Sequence, residues 1–222
     1  MPQDEEQRLQ ALNRCGILDT KPEPAFADLV RLATQICGTP IALISLLDPY
    51  RQWFKAKKGF SACEISRDVA FCAHTILERG LLIVSDTLAD ERFADNPLVT
   101  GDPRIRFYAG TPLVTGDGCA LGTLCVLDLT PRQLSGEQEA ALAALGRQVM
   151  NQMELRLRNQ GLSRSIAAER SAVAAQAWLR FAIDHSLEGV ALLDREGRLA
   201  YLNQAFATMY GFDVGELMGR PW

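Results

Sequence analysis

The sequence predicts an α+β fold on three observations. Amphipathic helical periodicity brackets a β-rich block on both sides, tight-turn dipeptides separate the β-rich runs as in an antiparallel sheet, and a second pattern of two strands and a helix begins after residue 187.

A first helix is expected over 4–16, where Asp4 precedes Gln7 by the three residues of a capping box and Leu9 and Leu12 share a face. The second, "EPAFADLVRLATQICG", repeats Phe26, Leu29, Val30, Ala33, Ile36 and Cys37 at three- and four-residue steps before Gly38 stops it. "PIALISLLD" is β-branched and too short for a helix, so it reads as a strand buried on both faces. The turn "DPYR" returns the chain into "QWFKAKKG", whose mixed pattern suits a strand nearer an edge with lysines guarding it. "AFCAHTILERG" reads as a short helix closed by Gly80, and "LLIVSD" as another buried strand. "RFYAGTPLVTGDGCALGTLCVLD" forms a hairpin, because Asp117-Gly118 separates two β-rich runs.

From Ser135 the pattern changes. "SGEQ" is a second capping box, and Leu142, Leu145, Val149, Met153 and Leu157 continue in helical steps without strand signals. Helix formers persist past Gly161 to residue 183 with an alanine-heavy seam; Gly161 costs only about 1 kcal/mol, so a break there is not forced. A continuous rod of about 45 residues is roughly 65–70 Å long. It is either a solvated linker or, as its length favours, a stalk packed on an identical copy. "EGVALLDREGRLAYLNQAFATMYGF" then gives two short strands joined by "REGR" and a helix capped by Asn203. Two strands and a helix bury no face alone, so this is expected to be the front of a truncated domain.

Composition narrows the function. Of 222 residues, 48% are hydrophobic and 23% charged, which suits a packed core and excludes general disorder. The net charge of −4 comes from interspersed acids and bases, so nucleic acid and anionic membranes are not expected partners. No apolar stretch is long enough to span a bilayer, and "MPQDEEQRLQ" is acidic where a signal peptide is basic, so a cytoplasmic protein is expected. The six cysteines form no C-x-x-C pair, and reduced, mostly buried thiols are the expectation.

The stretches "IALISLLDPYRQWFKAKKGF", "RDVAFCAHTI", "RFADNPLVTGDPRIRFYAGTPL" and "LGTLCVLD" resemble, in order and spacing, a bacterial GAF sensor domain. The tail, with "YLNQAF" and "GELMGR", resembles the first half of a PAS domain. The resemblance implies a GAF domain over 1–157 with a five- to six-stranded antiparallel sheet and flanking helices, a coiled-coil-like linker over 158–180, and an incomplete PAS segment over 181–222. It implies a signalling input module that binds an unidentified small molecule, pairs as a homodimer through helices 4–16 and 135–183, and acts in cis on a histidine kinase, diguanylate cyclase or phosphodiesterase domain. The chain carries no phosphate-cradling glycine loop and no kinase or cyclase signature, so it is expected not to be an enzyme itself. A ligand-free dimerisation scaffold, or a redox sensor or thiol enzyme using Cys72, Cys119 or Cys63, are the alternatives.

Cys72 and His74 raise the question of chemistry directly. Zinc needs three or four ligands, and side chains at i and i+2 of a helix diverge, which argues against both a metal site and a Cys–His catalytic pair. GAF domains that bind bilins typically place the histidine immediately after the cysteine, whereas Ala73 intervenes here. No haem, bilin or flavin signal is found, and the cofactor is unknown. By resemblance the segment lies over the open face of the sheet, where His74 either hydrogen-bonds a ligand from which Phe71 and Ile76 help exclude water, with Cys72 in the candidate ligand set, or is simply a packed histidine. Arg92, Phe93, Arg106, Tyr108 and Thr111 complete the candidate ligand set. A guanidinium beside aromatic rings suits a carboxylate, phosphate or planar ring. Asp86 is either a ligand contact or, like Asp90 and Asp95, a brace for its loop.

Overall fold

The computed structural model describes residues 5–222 and divides into two compact units, 1–159 and 160–222. Asp4, the expected first cap, lies outside the described residues.

The first unit opens with helices α1 (Glu5–Cys15) and α2 (Pro24–Cys37). Pro24 takes the first turn of α2, where its missing N–H is no loss, and Gly38 ends it at a left-handed φ of 64° with its N–H on the Thr34 carbonyl. Strands β1 (Ile41–Leu47) and β2 (Arg51–Lys58) follow, then the short β3 (Glu64–Ser66). A single-turn helix α3 (Cys72–Thr75), strand β4 (Leu82–Val84) and helix α4 (Pro97–Thr100) lead to the hairpin β5 (Phe107–Val114) and β6 (Ala120–Asp128). The six strands form one antiparallel sheet in the order β3-β2-β1-β6-β5-β4.

Two hydrophobic layers enclose the sheet, and strand alternation assigns residues to them. On one face Phe26 and Val30 of α2 and Leu12 of α1 meet Ile44, Leu46, Phe107, Leu113 and Leu121, together with Leu142, Val149 and Met153 of helix α5 (Gly136–Asp184). On the other face Leu43, Tyr108, Cys125 and Leu127 are covered by Phe71, Cys72, Phe93 and Ile105. That cover is the segment 67–106, mostly irregular chain. The α+β prediction therefore holds, with all six strands present.

Two elements depart from expectation, and a third settles an open point. The helix read up to Gly80 is one turn long: burial fades after Thr75, with Ile76 only half-buried and residues 77–80 exposed, so little packing supports a second turn. Lys55 of β2 guards no edge: β3 pairs outside β2, and the Lys55 side chain is fully buried. Gly161 causes no break, and α5 continues through it. Its start is the predicted capping box, with Gln138 N–H on Ser135 Oγ and Ser135 N–H on Gln138 Oε1.

Glu5 ties α1 to the cover segment. It accepts two bonds from Arg8 at 2.8 and 2.9 Å and one from Arg67 at 2.6 Å, and these bonds, Arg8 first, outweigh partial burial and bring its carboxyl down from 4.5 to about 2. A depressed carboxylate adds stability above its ordinary pKa and loses it as pH falls through the folded value. Glu5→Gln is therefore expected to lower Tm at pH 7, and the difference from wild type to shrink between about pH 4.5 and 2. Melting curves across that range check it; a constant difference would refute the linkage.

The second unit holds the two-stranded sheet β7 (Ala191–Leu193) and β8 (Leu199–Leu202), then helices α6 (Gln204–Tyr210) and α7 (Val214–Leu217) around Leu199, Leu202, Ala207 and Leu217. Asn203 caps α6 as predicted, accepting from the Phe206 N–H, and its buried amide also binds Val190 N–H and the carbonyls of Ile183 and Glu188. Among the described residues no helix is long and apolar enough to cross a membrane.

Candidate functional site

The cover segment meets the sheet around one sulfur. Cys72, the first residue of α3, points its thiol at the sheet, where Thr123 Oγ1 of β6 lies at 2.8 Å, Gln52 Nε2 of β2 at 3.0 Å, Ser45 Oγ of β1 at 3.2 Å and Tyr108 OH of β5 at 3.8 Å. Ser45 and Thr123 bond each other at 3.0 Å, and Thr75 Oγ1 meets Tyr108 OH at 2.5 Å. Cys125 of β6 packs in the same buried cluster. All these groups are buried. Burial alone would raise the Cys72 thiol, but the neighbouring Cys125 and the bonds from Ser45, Thr123 and Tyr108 outweigh it and hold it below the usual thiol range. Cys125, beside Cys72 and desolvated, is pushed well above that range, and burial does the same to the Tyr108 phenol.

Aromatic rings roof this polar cluster. Phe71 stacks between Phe93 at 4.6 Å and Tyr108 at 5.2 Å, and His74 stands edge-on to Phe93 at 4.8 Å. Burial, then the nearby Arg92 charge, lower the His74 pKa and favour neutral imidazole. Cys72 and His74 thus face different neighbours, as their spacing requires. Beneath the roof is a cavity of about 20 Å³, measured as space open to the centre of a water-sized sphere, with Gln52, Phe71, Cys72, Tyr108 and Cys125 on its walls. One water needs about 10–15 Å³ by that measure, so the cavity takes a water-sized guest as it stands. Gln52 Oε1, on that wall, is buried with no hydrogen-bond partner.

The structure brings Phe71, Cys72, His74, Phe93 and Tyr108 together, with Arg92 on the outer side of Phe93, and leaves Asp86, Arg106 and Thr111 apart. Arg106 is held by both oxygens of Asp86 at 3.0 and 2.8 Å, and Arg92 by Asp90 at 2.9 and 2.7 Å while lying over the Phe93 ring. Both guanidiniums already have carboxylate partners on the outer loop, and neither they nor Asp86 line the cavity. Thr111 sits on the opposite sheet face against Gly146 of α5, since an odd step from Tyr108 reverses the side of a strand. Ser45, Gln52, Thr123 and Cys125 were missed. Part of the signal was available: Ser45 is a hydroxyl inside a run predicted to be buried on both faces, and a buried hydroxyl needs a partner.

A family model for the GAF domain matches residues 21–153, more than half the chain. The chain belongs to the GAF family. A model for the PAS domain matches residues 177–222. A cyclic di-GMP phosphodiesterase of Pseudomonas aeruginosa is 45% identical over 141 residues, which are 64% of this chain and 24% of that protein; the chain thus spans about a quarter of that relative's length. Among solved structures, the GAF unit is similar in fold to the chromophore-binding domain of an unusual bacteriophytochrome from R. palustris, with a TM-score of 0.52, 12% identity and coverage of 71% of this chain and 64% of that one. A free methionine-R-sulfoxide reductase from Neisseria meningitidis, solved with its substrate, gives a TM-score of 0.50 at 14% identity and covers 72% and 96%.

The relative corrects one expectation. The missing kinase and cyclase signatures led to a non-enzyme, yet the relative matched at 45% identity is a phosphodiesterase, an enzyme. The error was one of scope, because a signature absent from 222 residues bears only on those residues.

Proposed function

We propose that this GAF–PAS chain is the input part of a longer enzyme that hydrolyses cyclic di-GMP, and that its GAF domain senses a small molecule in the cavity beneath Phe71. The observation that carries the sensing reading is the unpartnered, buried Gln52 Oε1 on the wall of that cavity, an acceptor awaiting a donor. The 45% identity to a phosphodiesterase supports the output. Strand β5 supports a route outward: Tyr108 faces the cavity while Phe107, Ala109 and Leu113 face the helical layer, and Thr111 packs on Gly146 of α5. A shift of β5 is therefore felt by α5, and a coupling of about 1–3 kcal/mol is typical of such linkage. Leu155, Leu162, Ile166 and Val173 are exposed along α5, which supports pairing of this helix with a second copy.

The test is a chimera in which the matched segment of the P. aeruginosa phosphodiesterase is replaced by that of this chain. A protein-free extract of small cellular molecules is expected to change its hydrolysis of cyclic di-GMP at least about twofold, and Gln52→Leu to abolish the response. An equal response in parent and variant, or none in either, would overturn the proposal. A second reading, the ligand-free scaffold, is favoured by how completely Phe71, Phe93 and Tyr108 fill the sheet face; it expects a dimer and no response to the extract.

A further inference from the structure

We infer that Cys72 and Cys125 are a peroxide-sensing dithiol, oxidised to a disulfide by a hydroperoxide small enough to enter the cavity they share. The inference rests on the cavity being the sensing site and names what is sensed there. Four observations carry it. Both cysteines line one cavity and pack in one buried cluster. The cavity's 20 Å³ exceeds the about 10–15 Å³ of one water, enough for two bonded oxygens without rearrangement. Gln52 Nε2 and Tyr108 OH donate to the Cys72 sulfur, and Ser45 and Thr123 hydroxyls lie against it, so charge developing on sulfur is stabilised without a base. Gln52 Oε1, unpartnered, accepts the O–H of the guest.

The chemistry balances with hydrogen peroxide as oxidant. The Cys72 sulfur attacks one oxygen; an S–O bond forms, the O–O bond breaks, and the departing oxygen takes the thiol proton and leaves as water. Cys72 is then a sulfenic acid. The Cys125 sulfur attacks the Cys72 sulfur, the S–S bond forms, the S–O bond breaks, and hydroxide leaves with the Cys125 proton as a second water. Two thiols and one peroxide give one disulfide and two waters. The bond of about 2.05 Å draws α3 onto β6 and strips Ser45, Thr123 and Gln52 of their shared partner.

The 222-residue chain is treated with hydrogen peroxide or with the bulkier tert-butyl hydroperoxide, then denatured, alkylated and mapped by mass spectrometry. Hydrogen peroxide is expected to give a peptide cross-linked between Cys72 and Cys125, and tert-butyl hydroperoxide to form it at least roughly tenfold more slowly. Cys125→Ser is expected to stop at a Cys72 sulfenic acid that dimedone traps. The inference is overturned if both sulfurs alkylate fully while exposed Cys63 oxidises, or if the two peroxides react alike. Its failure is separable from that of the sensing site: reduced Cys72 and Cys125 in a chimera that still answers the cell extract exclude peroxide but keep the cavity. Wild-type mapping alone decides the matter should the variant not fold.

Discussion

Gly122→Ala is expected to leave little folded protein, with a stability loss above about 4 kcal/mol, large against the roughly 5–15 kcal/mol of a typical domain. A Cβ on Gly122 would overlap the Ser45 carbonyl oxygen and lie 2.8 Å from Leu46 Cα and the Ser45 carbonyl carbon. These are backbone atoms of β1, which pairs with β6 through Leu46 opposite Gly122 at the centre of the six-stranded sheet. No side-chain rotation relieves the overlap, so the two central strands must part. Ser45 also holds the Cys72 sulfur, so any folded remainder loses the thiol cluster. Gly146→Ala is the contrast: its Cβ would meet Thr111 Cγ2 at 2.5 Å, the tip of a side chain that turns away, and a smaller loss is expected. Urea unfolding of both variants checks the ranking. A loss below about 1 kcal/mol for Gly122→Ala would show that the sheet yields there.

Local patterns made most of the fold legible. Phe26, Val30, Ala33 and Cys37 mark the buried face of α2, Gly38 its end, Asp117-Gly118 the β5–β6 turn and Ser135 the start of α5, each through an effect confined to a few residues. What escaped depended on partners remote in sequence. β3 is three residues, too short to show a period, and Lys55 is buried by Thr20, Lys21, Glu23 and Phe26, which lie some thirty residues before it. The extent of α3 was misread because helix propensity alone does not sustain a second turn without packing.

The site was legible where chemistry clusters along the chain. "AFCAHT" and the aromatic residues of 93 and 108 are apolar enough to cover a sheet, and the structure packs them together. Arg92 and Arg106 looked like ligand contacts because sequence does not reveal that Asp90 and Asp86 occupy their guanidiniums. Thr111 was misassigned by one step of strand parity. Ser45, Gln52, Thr123 and Cys125 come from three strands and meet only through sheet register, although Ser45 opposite Thr123 follows directly once β1 and β6 pair.

Glu23→Ala is expected to cost about 3 kcal/mol, because it strands a buried cation. The Lys55 side chain is fully covered, and its ammonium bonds Thr20 Oγ1 at 2.9 Å, the Lys21 carbonyl at 2.8 Å and Glu23 Oε1 at 2.6 Å while lying 5.3 Å above the Phe26 ring. Of these only Glu23 carries the opposite charge. The same oxygen accepts Arg156 Nε at 2.9 Å, joining α5 to the start of α2. Burial would raise the Glu23 carboxyl, yet the bonds from Lys55 and Arg156 prevail and keep it below its ordinary value. Since Glu23 is about one-third exposed, water softens the loss, which places it at the low end of the about 3–5 kcal/mol typical for breaking a buried pair. Lys55→Met in the Glu23→Ala background is then expected to recover about 2 kcal/mol, because a methionine fills the channel without charge. Chemical denaturation of the two single variants and the double variant measures this coupling. A double variant no more stable than Glu23→Ala would mean that the ammonium finds water and that the ion pair does not hold α2 against the sheet.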